Sequence, residues 1–114
     1  MSGGAGLDPQ IHGADRVREV FARVRHGDDR AADLFAEDGV VRVRGREIEG
    51  REAIRAFYRG AIDAVHPQPE VREVRQEGGL FLAVLNVPSD HGQVSAIDLF
   101  EVDDEGIRRL VIFY

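Results

Sequence analysis

The run His66-Pro67-Gln68-Pro69 splits this 114-residue chain into two kinds of sequence, and that split limits the fold more than any other feature. Proline cannot continue a helix, and it biases the residue before it away from helical geometry. Beyond the split, short alternating runs are separated by turn signals. Strands are expected over residues 70–76, 80–87, 94–102 and 107–114, with turns at Gly78-Gly79, 88–92 and 103–106. Four strands joined by turns this short predict a meander.

Before the split the apolar spacing is helical. Val17, Val20, Phe21 and Val24 recur at i, i+3, i+4 and i+7, which predicts a first helix capped by Asp15 and ending near His26-Gly27. Asp28 or Asp29 then caps a short helix through Ala31, Ala32, Leu34 and Phe35 that stops around 37–39. Residues 40–44 alternate as a strand, with Val41 and Val43 on one face and Arg42 and Arg44 on the other, and 45–50 form a turn or short hairpin. The strongest helical signal covers 51–65, with Ile54, Phe57, Tyr58, Ala61, Ile62 and Val65 on one side. The glycine-rich residues 1–13 predict a flexible tail, and 14–114 a single domain. Helices gathered at the N-terminal side of an antiparallel sheet make the class α+β, with the sheet curved around the helices as a cone.

The strand at 94–102 carries one carboxylate among apolar neighbours. Side chains on one strand face recur every two residues, so Asp98 shares its face with Ala96, Phe100 and Val102. An ionised acid there is costly unless it gains a partner or keeps its proton, which makes Asp98 the leading candidate site. Tyr58 lies in an apolar helix stripe where aromatics usually fill core, yet a buried hydroxyl needs a partner. Asp90-His91 falls in a turn, where polar residues are expected in any case. The four histidines lack ligand spacing, so no metal site is expected. Gly78-Gly79 has no phosphate-binding context, and no cofactor is expected.

Composition narrows the partners. The net charge of −6 and the pI near 5.1 argue against nucleic acid and anionic membranes, and the 15 basic residues, all arginine, are interleaved with acids. The chain has no cysteine, which excludes disulfides and thiolate chemistry. No apolar run is long enough to span a membrane, and residues 1–10 lack the features of a signal peptide, so a cytoplasmic protein is expected.

Three segments carry a family resemblance: Leu34-Phe-Ala-Glu-Asp-Gly39, Glu49-Gly-Arg-Glu-Ala-Ile-Arg-Ala-Phe-Tyr58 and Ala96-Ile-Asp-Leu-Phe100. With them the chain, from about Val17 onward, resembles the nuclear-transport-factor-2-like superfamily, and within it the SnoaL-like and ketosteroid-isomerase-like proteins. The resemblance implies a cystatin-like, cone-shaped α+β barrel, a homodimer, and an apolar cavity for a small hydrophobic ligand or substrate. Phe21, Val43, Phe57, Phe81, Ala83, Leu85, Phe100 and Phe113 either fill a solid core or line that cavity. In the isomerases the position matching Asp98 holds a protonated acid that donates to a developing enolate, and Tyr58 matches a helix tyrosine of the same network. The position of their general base is Val43 here, and their helix-one tyrosine corresponds to Val20 or Phe21. The arginine that epoxide hydrolases of the superfamily place two residues before the acid is Ala96. What the resemblance implies is a SnoaL-like protein of isomerase or cyclase type, acting on an apolar carbonyl-bearing substrate through one buried acid. The alternative is a non-catalytic ligand-binding or dimerisation module.

Overall fold

The computed structural model describes residues 9–114. Helix α1 runs Pro9–Arg25, so it begins six residues before the expected start, and Asp15 lies inside it instead of capping it. Proline suits a first turn, where its missing N–H leaves no bond unmade. Of the expected tail, residues 1–8 lie outside the described residues, and from Pro9 the chain is helical. Gly13 has a tertiary reason to sit in this helix: a Cβ there would lie 2.3 Å from the Phe81 ring. The stripe Val17, Val20, Phe21 and Val24 is buried as its spacing predicts. The helix ends in a Schellman motif, with Asp28 N–H donating to Arg23 O at 2.9 Å and Gly27 N–H to Val24 O at 2.9 Å. Gly27 supplies the left-handed residue that this motif requires.

Asp28 caps a 3₁₀ helix, Asp29–Leu34, by accepting from Arg30 N–H. The expected helix stops short, because Phe35 opens strand β1, Phe35–Val43. Residues 40–43 of β1 pair in parallel with β6 at 109–112, a partner some seventy residues away that local spacing cannot reveal. Strand β2, Arg46–Glu49, folds back on β1 through Arg44 and Gly45, both at positive φ as a two-residue hairpin turn demands. Helix α2 is Arg51–Val65, as expected, and His66 ends it in the left-handed conformation. Strands β3 (Glu70–Glu77), β4 (Leu80–Ser89), β5 (Gly92–Asp103) and β6 (Gly106–Phe113) form the meander.

The sheet order is β2-β1-β6-β5-β4-β3, curved and unclosed, with β1–β6 as its parallel pair among antiparallel neighbours. The antiparallel sheet read from the sequence holds at every other pair. The outer edge strand β3 carries Glu70, Arg72, Glu73, Arg75 and Glu77, charges that discourage edge-to-edge pairing. Both helices pack on the sheet, α1 against β3–β5 and α2 against β1 and β2. Phe35, Phe81, Phe100, Ile54, Ile107 and Leu110 fill the core between them. No described helix is long and apolar enough to cross a membrane.

Candidate functional site

Strand β5 places Val94, Ala96, Asp98, Phe100 and Val102 on one side, and the last four of these are buried. Asp98 stands opposite Ala83 of β4 and Ile112 of β6. Its side chain borders a cavity of about 290 Å³ that opens between the helices and the hairpin end of the sheet. Helix α1 contributes Val20, Phe21 and Val24, and α2 contributes Phe57, Tyr58, Ala61 and Val65. The remaining wall is Pro67 and Pro69, the β4 residues Leu85, Val87 and Ser89, Val94 and Ala96 of β5, and Ile112 and Tyr114.

Asp98 is 4% exposed, and its Oδ1 atom has no hydrogen-bond partner among the described residues. Burial pushes its carboxyl up to about 7, so near neutrality the acid and carboxylate forms are both populated. The buried Tyr58 hydroxyl is pushed above its ordinary value, first by desolvation and then by the charge of Asp98. The two side chains thus reach one cavity and sense each other, while among the described residues no hydrogen bond joins them. Tyr58 is held by ring contacts, 5.4 Å from Phe57 and 6.2 Å from Phe35 between centroids.

The residues expected to line a cavity or fill core divide between the two. Phe21, Phe57 and Leu85 do line the cavity. Phe81, Ala83 and Phe100 are fully buried core residues: Phe81 lies against α1 at Gly13, and Phe100 meets Phe21 in a T-shaped contact with centroids 5.7 Å apart. Val43 and Phe113 line a separate shallow groove with Arg42, Arg44 and Arg109. Alternation along a strand gives the face, but not how far along that face the helices stop filling space. The missed residues Val94, Ala96 and Val87 shared the parity of Asp98 or paired with its strand, which is the signal that would have found them. Nothing local points to Pro67, Pro69 or Tyr114.

Val43 pairs with Ile112, which pairs with Asp98, so all three lie in one row across the sheet. A proton acceptor at residue 43 would stand two strands from Asp98, on the order of 10 Å away; valine supplies none. Asp90 does not work with His91. It accepts from His66 Nδ1 at 2.6 Å, and its N–H donates to Val65 O at 2.8 Å, tying the end of α2 to the β4–β5 turn. A larger depression of about 610 Å³ between α1 and the 3₁₀ helix is polar, and its Arg23 and Arg30 are paired with Glu19 and Asp28. Its two arginines are thus already paired, whereas the smaller cavity holds an acid with no partner at Oδ1. Among the described residues no group of three or more His, Asp or Glu is placed to hold a metal.

Comparison with known proteins agrees with this architecture. The SnoaL-like domain profile matches residues 17–110. No curated protein matches the chain at a significant level. Among solved structures, a Sphaerobacter thermophilus protein is 31% identical, with a TM-score of 0.71 over 88% of this chain and 93% of its own. A Sinorhizobium meliloti protein described as a candidate polyketide cyclase is 27% identical, with a TM-score of 0.80 over 87% of this chain and 94% of its own. SalBIII, an epoxide hydrolase/cyclase-like enzyme of pyran ring formation in salinomycin, shares the fold at 21% identity, with a TM-score of 0.81 over 94% of this chain and 93% of its own. With the profile spanning most of its length and the curved sheet, helices and cavity in place, the chain belongs to the SnoaL-like family.

Proposed function

We propose that this protein binds a small, apolar, carbonyl-bearing molecule in the cavity and acts on it through Asp98, in the manner of an isomerase or cyclase. The observation that carries this reading is the buried, unpartnered Asp98 carboxyl bordering an otherwise apolar cavity. A carboxyl that titrates near 7 is matched to proton transfer at neutral pH, because each form is available without a large driving force. As an acid it donates a hydrogen bond to a carbonyl oxygen as enolate charge develops; as a carboxylate it accepts a proton from the carbon beside that carbonyl. Tyr58 retains its hydroxyl proton and serves as a second donor to the same oxygen. The absence of a side-chain base at Val43 and of a hydroxyl at Val20 or Phe21 leaves the proton steps to Asp98.

That same feature favours a second reading, in which the cavity binds such molecules without turning them over. Proton exchange separates the two. Incubated with 2-tetralone in deuterated water at pH 7, the protein is expected to accelerate exchange of the protons beside the carbonyl, and Asp98→Asn to abolish the acceleration. Binding of the ketone with no accelerated exchange contradicts the catalytic reading and leaves the binding module.

We also propose a homodimer through the outer sheet face. Leu80, Ile97 and Phe113 are 44%, 42% and 55% exposed there. Val84, Ile97 and Phe113 form one row across three strands, and Leu82, Leu99 and Val111 the next. An apolar surface of this kind on a sheet is what a second copy would cover. Light scattering is expected to give the dimer mass, and a monodisperse monomer contradicts it.

A further inference from the structure

The cavity contains an acid and nothing to balance it. Although the chain has 15 arginines, no arginine or described histidine lines this space. The titratable groups that share the cavity with Asp98 are few: α2 brings Tyr58 and the residue after β6 is Tyr114, while α1, β4 and the Pro67–Pro69 segment bring none. Four aromatic rings, Phe21, Phe57, Tyr58 and Tyr114, line the same walls. An aromatic ring attracts a cation through its negative face, and Tyr114 already does so on one side, where the Arg44 guanidinium lies 4.4 Å from its centroid. A buried carboxylate is relieved by a proton, by a donor or by a cation, and the protein supplies neither of the last two at Oδ1.

We propose that the cavity also takes small apolar amines, seating the ammonium group against the Asp98 carboxylate with the aromatic rings around it. The ligand then brings the missing countercharge, and its hydrocarbon part meets the Val, Leu and Pro walls. Binding is non-covalent: the ammonium keeps its charge, and any proton held by Asp98 leaves to solvent. The net charge of −6 favours the approach of cations over anions. A carbonyl ligand calls for the protonated acid and an ammonium ligand for the ionised one, so the two classes have opposite pH preferences at one site. The inference rests on the cavity and the Asp98 of the reading above, but not on turnover.

The test is calorimetric titration of the full chain with benzyltrimethylammonium, whose charge is fixed, and with acetophenone as the neutral control. Wild-type protein is expected to bind the cation at least about tenfold tighter at pH 8.5 than at pH 5.5 as Asp98 ionises. Asp98→Asn is expected to lose that pH dependence and at least about tenfold in affinity for the cation at pH 8.5. A cooperative urea unfolding transition of Asp98→Asn shows that the variant is folded. The wild-type pH profile provides a reading that needs no variant, and the Asn profile removes contributions from groups other than Asp98. A pH-independent affinity, an unchanged affinity in Asp98→Asn, or acetophenone binding without cation binding overturns the inference and leaves the carbonyl reading standing. If neither probe binds, the cavity itself is not a ligand site and both readings fall.

Discussion

Asp98 and Asp103 lie five residues apart on one strand and have opposite fates. At Asp103 burial works to raise the carboxyl, but Arg108 Nε donates to it at 2.7 Å and Glu105 N–H at 2.8 Å, and together they hold it below its ordinary range. At Asp98 burial acts unopposed, and the carboxyl rises to about 7. The strand is the same, but the company differs. Arg108 gathers Asp38, Asp103 and Glu105 at the sheet's end, where water softens every charge. Asp98 faces the cavity, and no arginine reaches it. An acid retained in such a place costs stability, which is the pattern expected where a group is kept for chemistry.

The largest effect that separates the two sites is thermodynamic. The unfolded chain releases the Asp98 proton near the ordinary carboxylate value of 3.8 and the folded chain near 7, so ionisation opposes folding. Stability attributable to Asp98 is therefore full below pH 4, falls as pH rises to 7, and is flat above. Asp98→Asn, which cannot ionise, is expected to exceed wild type by up to about 4 kcal/mol at pH 8 and to match it at pH 4, measured by urea unfolding. A variant no more stable than wild type at pH 8 breaks the contrast.

A second experiment gives Asp98 what Asp103 has. Ala96→Arg sets a guanidinium two residues away on the same face, inside the cavity. The Asp98 titration is expected to drop by at least about two units and acetophenone binding to disappear. A titration still near 7 would mean that charge partners do not explain the difference.

The smallest effect comes from undoing the outer pair. Asp103 is 45% exposed in its side chain, so its ion pair is screened. With a folded value held below the unfolded one, it stabilises the protein above the unfolded value and loses that contribution as pH falls. Asp103→Asn is expected to lower stability at pH 7 by roughly 0.5 kcal/mol, less in 1 M salt, and not at all at pH 2. A loss as large as the Asp98 effect would contradict the account of water as the screening agent.

Sequence legibility followed the range of the interactions. Helix α2 was readable to the residue, because a full apolar stripe and His66-Pro67 are local signals. The meander strands were readable to within one or two residues for the same reason. The start of α1 was not, since Gly13 reads as a helix breaker until Phe81 is seen pressed against it. Nor was the start of β1, because Phe35 joins a strand only through pairing with Ile107. Asp98 was legible as a polar exception on an apolar face. The extent of its cavity was not, because Phe81 and Phe100 share the sheet's inner face with it and differ only in how α1 covers them. The His66–Asp90 link was also hidden, as it joins residues 24 apart across two turns.

The central claim is that Asp98 is a buried acid whose proton is held for work at neutral pH. Carbon-13 NMR of the aspartate carboxyls, with Asp98→Asn assigning the resonance, measures its titration directly. The account predicts a midpoint near 7 that moves when benzyltrimethylammonium or acetophenone enters the cavity. A midpoint at or below the ordinary carboxylate value of 3.8, unmoved by either ligand, contradicts it.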